Sequence, residues 1–199
     1  MKKLKTLTPT ELAAKLKRRA GNRTVSRADQ YLCVYDDLRR GIQAIRPLNR
    51  RNVILIAHCV FGWMPTQLKI NRKLIDRSTR ILSRAGNGLN AAELGTLART
   101  FQTSRGKSVV AAAKILHFIF PDKYPIWDKH IAKQWGTPSN GKRAARNCLA
   151  FTDALNNAIN LRGGAEACAI MRNRLSRAGF VQKLTDLRVA ELIVFQGPR

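Results

Sequence analysis

Acidic residues are scarce in this chain of 199 residues. Only 12 Asp and Glu stand against 37 Lys and Arg, which gives a formal net charge of +25. Such an excess repels itself in the folded protein, and a polyanionic partner relieves the repulsion. Composition therefore predicts nucleic acid as the partner, either DNA or the RNA of a ribosome-associated structural protein. A nuclease is disfavoured, because metal-dependent cleavage uses several clustered acids and only Asp122 lies near Asp128 in the sequence.

Closely spaced cysteines are also missing. The four cysteines, Cys33, Cys59, Cys148 and Cys168, are far apart, with no CxxC pair and no Cys/His cluster at zinc spacing. We expect reduced thiols in a cytoplasmic, nucleoid-associated protein. The sequence predicts no bound metal and no other cofactor.

Long apolar runs are absent as well. No apolar run of 18 residues occurs, so we expect no membrane span. The basic N-terminal segment lacks the apolar core of a secretory signal. Hydrophobic residues nevertheless make up 45% of the chain, which is enough for a packed interior. We expect one domain, residues 1–199, that acts as a monomer.

Strand-like alternation is missing, and helical spacing of apolar residues runs through the chain. The fold class predicted is all-α. The predicted helices span about 8–19, 26–42, 49–61, 69–84, 90–101, 107–120, 128–135, 140–160, 165–177 and 185–195. The segments Gly86–Gly88 and Gly163–Gly164 are predicted loops. The helix over 107–120 is apolar nearly all round and should be central.

The segment SRGKS, residues 104–108, is a basic turn before that apolar helix. A Gly at 106 permits close approach of the backbone, and the helix N-terminus favours an anion. Side chains of the same turn add donors or charge, which makes it a candidate phosphate-binding site. The predicted DNA-binding residues of the turn are Ser104, Arg105, Gly106, Lys107 and Ser108. A Gly turn between helices is also common without any ligand.

Asp128 is a single carboxylate, 22 residues after Gly106, at the start of a basic helix. It is either a simple helix N-cap or a catalytic group held near the phosphate-binding turn. His130, Lys129 and Lys133 follow it and are candidate contacts to the DNA backbone. The alternative for these three is an exposed helix surface.

Aromatic residues gather in the segment 57–67 and again around Asp128. Such rings either stack on an extruded base and wedge the duplex, or belong to the core. The candidates for a base pocket or wedge are His58, Phe61, Trp63, Tyr124 and Trp127.

Residues 91–136 resemble the helix-hairpin-helix superfamily of DNA glycosylases. Members carry a hairpin of the form LPGxGxxTA, followed by a segment such as PVDxHVxR or FPILDxNVKR. In this chain GKSVVAAA stands at the second hairpin Gly, with QTSRG in place of LPGxG, and PIWDKHIAK stands at the catalytic segment. The resemblance implies a multi-helix glycosylase fold of two helical lobes with a cleft, and Asp128 as the catalytic residue.

The resemblance also bears on the reaction. In bifunctional members a lysine two residues after the second hairpin Gly forms a Schiff base with the sugar. Here that position is Ser108, which implies a monofunctional enzyme that leaves an abasic site, although a lyase activity through Lys107 stays open. The four C-terminal cysteines of iron–sulfur relatives are absent, so no cluster is implied.

The expected function is excision of a damaged, mismatched or modified base from double-stranded DNA, in repair or against foreign or viral DNA. The sequence does not define which base. The alternative is a non-catalytic, basic nucleic-acid-binding protein of helical fold, which shares the charge but does not need Asp128.

Overall fold

The computed structural model describes residues 3–22, 32, 34–63, 67–104, 106–180 and 183–195. Ten α-helices lie in this part of the chain: α1 Pro9–Gly21, α2 Tyr35–Ala44, α3 Arg50–Gly62, α4 Ile75–Arg84, α5 Ala91–Thr100, α6 Val109–Ile119, α7 Lys129–Trp135, α8 Ala144–Ile159, α9 Arg162–Arg177 and α10 Asp186–Phe195. Three short strands accompany them: β1 Lys69–Ile70, β2 Phe101–Thr103 and β3 Gly106–Lys107. The predicted helical character is confirmed.

Side-chain caps determine where several helices begin. Thr8 and Glu11 form a capping box at α1, and Asn90 and Glu93 form a second one at α5. Each box satisfies backbone N–H groups that the first helical turn leaves without partners. The helix starts near residues 8 and 90 were predicted, because Thr or Asn followed three residues later by Glu is a sequence signature of a helix start.

The helices pack in two groups that meet where α8 contacts α5 and α6. In one group α1 lies against α9 and α8, and α10 packs on α7, α8 and α9. In the other, α5 and α3 contact α6, α2 contacts α3 and α6, and α4 contacts α3 and α5. Buried residues of both groups belong to one continuous hydrophobic core. Of the helices in the described segments, none combines the length and apolar character that crossing a bilayer requires.

Helix α6 is central, as predicted. All of its residues are buried except Val110 and Lys114. These two are four positions apart and lie on one face of the helix. A helix that is otherwise surrounded by protein thus exposes a single narrow face, and that face carries one cation.

The segment after α5 differs from the predicted helix–turn–helix. Helix α5 ends at Thr100, and the chain enters an antiparallel hairpin in which β2 pairs with β3, while β1 pairs with the other edge of β2. Gly106 has φ +89°, which an L side chain rarely adopts, so glycine permits the reversal here. The sequence did not reveal this small sheet, because strands of two or three residues are too short to show an alternating pattern.

Two further predictions need correction. The segment predicted as one helix over 69–84 contains β1 and then α4 from Ile75. The predicted loop Gly163–Gly164 lies inside α9. A Cβ on Gly164 would lie 2.0 Å from the carbonyl oxygen of Ala158, so this glycine allows α9 to approach the end of α8 closely. The start of the predicted 26–42 helix, Met64 and Arg105 lie outside the described residues.

Candidate active site and its surroundings

Asp128 is the N-cap of α7, as predicted. Its Oδ1 accepts hydrogen bonds from the backbone N–H groups of His130 and Ile131, each at 2.8 Å. The second carboxylate oxygen, Oδ2, takes no part in these two bonds. Asp128 is half-buried, and the two hydrogen bonds hold its charge in a fixed position at the protein surface. Capping and a chemical role are therefore compatible in one side chain.

Lys114 lies on the exposed face of α6 and interacts electrostatically with Asp128. Burial lowers the pKa of the Lys114 ammonium, and the charges of Asp128 and Glu191 oppose that effect. The ammonium also lies over the indole of Trp63, 5.8 Å from the ring centroid. The charge of the predicted catalytic carboxylate thus acts on a desolvated amine.

Arg188 and Glu191 form a buried ion pair on α10. Their side chains are 6% and 1% exposed, and Arg188 Nη1 donates to Glu191 Oε2. Burial raises the pKa of Glu191 to about 7, although the charge of Arg188 opposes the rise. The Arg188 guanidinium also lies over the ring of Tyr35, 5.0 Å from its centroid.

Tyr35 and His117 extend this network through the core. The Tyr35 hydroxyl lies 2.5 Å from His117 Nε2, and His117 Nδ1 lies 2.7 Å from the backbone oxygen of Tyr124. Burial and the charge of Arg188 lower the pKa of His117 to about 3. A neutral imidazole therefore donates from Nδ1 to the Tyr124 carbonyl and accepts the Tyr35 O–H at Nε2.

We refer to Tyr35, Lys114, His117, Arg188 and Glu191 as the polar cluster. The sequence-based site prediction missed all five. A signal existed, since Lys114 and His117 are polar residues in an otherwise apolar helix, and such residues are buried only when they are paired. In the described part of the chain, no three His, Cys, Asp or Glu side chains come together as a metal site.

The predicted pocket aromatics divide between core and surface. Phe61, Tyr124 and Trp127 are buried, with Trp127 Nε1 donating to the Ser139 carbonyl, so these rings are core residues. This corrects their predicted role, because a fully packed ring offers no face to a base. His58 is exposed on α3.

Trp63 is the predicted aromatic that reaches the candidate site. It is partly buried and packs edge-on against Phe118, with ring centroids 5.1 Å apart. The Lys114 ammonium lies over its indole, so an aromatic surface borders the amine.

The predicted phosphate-binding turn is built differently from the expectation. Ser108 is 3% exposed and is the N-cap of α6, where its Oγ accepts from the N–H of Ala111. The N–H of Val109 donates to Asn140 Oδ1. Intramolecular acceptors therefore occupy these donors at the helix start, and the Ser108 hydroxyl is not a surface donor. Ser104 and Lys107 are exposed and Gly106 is half-buried.

The residues after Asp128 lie on the surface of α7. Lys129, His130 and Lys133 are all exposed, as contacts to a DNA backbone require. The His130 ring packs against Phe195 at the end of α10, with centroids 5.3 Å apart. Helix α7 therefore presents two cations and an imidazole near Asp128.

Comparison of the chain with family models, with curated proteins and with solved structures gives no match. The assignment of function consequently depends on the sequence motif, on the geometry of Asp128 at the start of α7 and on its electrostatic interaction with Lys114.

Proposed function

We propose that the protein is a monofunctional DNA glycosylase that hydrolyses the N-glycosidic bond of a base extruded from duplex DNA. The observation that carries this proposal is Asp128 itself, a half-buried carboxylate in the PIWDKH segment that two backbone N–H groups hold at the start of α7. The net charge of +25 supports a polyanionic substrate.

Asp128 stabilises the positive charge that develops on the sugar as the base leaves. The ionised carboxylate is fixed by two backbone N–H groups, so no reorganisation is needed when the charge appears. Asp128 then accepts a proton from the attacking water. One carboxylate suffices because the leaving group is a nucleobase, whereas glycoside hydrolases use a second acid to protonate a leaving sugar oxygen.

Lys114 acts on the departing base, the other product of the cleavage of the N-glycosidic bond. The electron pair of the C–N bond leaves with the base, and a proton from the Lys114 ammonium neutralises the charge that forms there. Burial lowers the pKa of this ammonium and so makes it a stronger acid. Trp63, partly exposed beside the amine, supplies an aromatic surface for the extruded base.

The fold we infer is a variant of the helix-hairpin-helix glycosylase fold. The order α5, hairpin, α6 and then an Asp-capped α7 supports it, as does the division of the helices into two groups. The difference is that the hairpin between α5 and α6 is made of β2 and β3. Lys107 lies in β3, outside the polar cluster, so we assign it no covalent role.

Mass spectrometry of free bases released from several genomic DNAs, including phage DNA with modified bases, tests the proposal. We expect release of one class of base and the appearance of alkali-sensitive abasic sites. Protein carrying Asp128→Asn, purified in parallel, identifies any contaminating glycosylase. If no DNA yields a free base while the protein still binds duplexes tightly, the protein is a non-catalytic DNA-binding protein and the proposal fails.

A further inference from the structure

A basic groove lies beside the β-hairpin and shares no lining residue with the polar cluster. It has a volume of about 290 Å³ and is lined by residues of α4, α5, β3, the start of α6 and the segment that leads into α8. Four cations from separate elements converge on it, namely Arg77, Arg99, Lys107 and Lys142. Among the residues that the structure describes, no acid contributes to its lining.

The four cations of the basic groove are not neutralised by carboxylates. Within the described segments, none of them forms a salt bridge, although eight such bridges join other cations to acids there. Arg99 donates to the Thr96 hydroxyl at 2.9 Å, which orients its guanidinium without balancing its charge. Converging like charges cost free energy in the isolated protein, and an anion in the groove would remove that cost.

The positive surface continues beyond the basic groove. A second depression, of about 440 Å³, shares Gly141 and Lys142 with it and adds Lys5 and Arg143. Within the described ranges, it too is lined by no acid. The two depressions together suit an extended chain of phosphates better than one small anion, because a DNA strand carries a charge every 3.4 Å or so along the helix axis.

We propose that the basic groove binds the phosphodiester backbone of duplex DNA and holds the duplex while a base is presented to Asp128. This proposal rests on the glycosylase function for its substrate. It replaces the start of α6, where the N–H groups of Val109 and Ala111 have intramolecular acceptors, with a side-chain site to which Lys107 of the predicted phosphate-binding turn contributes.

The test is fluorescence anisotropy of a labelled DNA duplex, titrated with protein at several salt concentrations. We expect R99Q/K107Q to bind at least about tenfold more weakly than the native chain, with the slope of log affinity against log salt reduced by about 1.8. The matched control is R18Q/R177Q, which removes the same charge from α1 and α9, helices that line neither depression. We expect the control to weaken binding less than about threefold, with a smaller change in slope.

A variant that changes shape without charge provides a second arm. Gly95 lines the groove on α5, and a Cβ there would lie 3.7 Å from Arg99 Nη1, in ordinary contact. Gly95→Gln therefore extends a neutral side chain into the groove and also favours the helix. We expect it to weaken duplex binding by about fivefold, a fraction of the effect of losing two charges.

The outcomes separate the two proposals. Equal losses in R99Q/K107Q and R18Q/R177Q would overturn the groove assignment, even if the native chain excises bases. A loss confined to single-stranded RNA, with duplex binding unchanged, would also overturn it. The native chain could also bind duplex DNA through the groove and release no base. That result would support the groove assignment and reject the glycosylase function.

Discussion

The polar cluster and the basic groove use charge in opposite ways. In the polar cluster the charges are few, largely buried and of both signs, and the Arg188–Glu191 pair is almost completely removed from water. In the basic groove four cations face one depression, and no acid of the described part of the chain lines it. Burial strengthens the local interactions of the first, whereas the second acts over longer distances and is screened by salt.

Because of this difference, separate measurements report on the polar cluster and on the basic groove. Changes in the polar cluster should alter stability, pH dependence and the rate of base excision. Changes in the basic groove should alter affinity and salt dependence while leaving the fold intact. A variant of the polar cluster that changes only the salt dependence of binding, or a variant of the basic groove that unfolds the protein, would contradict this difference.

The largest effect is expected from breaking the buried ion pair. Arg188→Met leaves Glu191 buried without its partner and should lower the free energy of unfolding by about 3–5 kcal/mol in urea denaturation. The matched control is Arg172→Met, which removes an exposed bridge to Asp186 and should cost less than about 1 kcal/mol. Equal costs for the two variants would mean that burial of the pair contributes nothing.

The next effect is a pH dependence of stability due to Glu191. Its pKa is about 7 in the folded protein against an ordinary value of 4.5, so the native state holds more protons between these values. Stability from this group therefore falls as pH rises through that window. In Glu191→Gln the free energy of unfolding, relative to the native chain, should rise by on the order of 3 kcal/mol between pH 4.5 and 7. A difference that stays flat in denaturation at several pH values would contradict it.

The third effect concerns the rate of base release in variants of Lys114. Lys114→Met should slow base release by about 100-fold, the scale of losing a general acid, and leave the salt slope of duplex binding nearly unchanged. Lys114→Arg keeps the charge but cannot lose its proton, so it should be nearly as slow. Single-turnover rates and binding at matched salt measure both. A fast Lys114→Arg variant would show that charge alone is needed.

The smallest effect separates the two roles of Asp128. Asparagine caps a helix about as well as aspartate, whereas alanine does not. Asp128→Ala should therefore lower the free energy of unfolding by about 1 kcal/mol, and Asp128→Asn should change it by less than about half of that. Denaturation in urea measures both. If the two variants unfold alike, the capping bonds of Oδ1 contribute little.

The sequence predicted those parts of the fold that local chemistry decides. The capping boxes at Thr8 and Asn90 and the N-cap at Asp128 follow from side chains that bond to their own helix start. The β-hairpin after Thr100 did not follow, because its strands are too short to carry a pattern. Which aromatic rings are core rather than pocket, as for Trp127, depends on how distant helices pack.

The candidate site was predictable in part for the same reason. Asp128 stands in a recognisable segment, and it lies in the structure at the helix start that was expected. Its neighbour Lys114 was hidden in an apolar helix, and Arg188 and Glu191 come from the far end of the chain. Only tertiary packing brings their charges within reach of Asp128.

The most direct test of the central claim compares Asp128→Asn with the native chain on one DNA from which the native chain releases a base. The glycosylase account predicts that Asp128→Asn binds this DNA with a Kd within about threefold of the native value and excises at least about 100-fold more slowly. Asp122→Asn, which removes an exposed acid nearby in the sequence, should excise at the native rate. Base release by Asp128→Asn at the native rate would contradict the account.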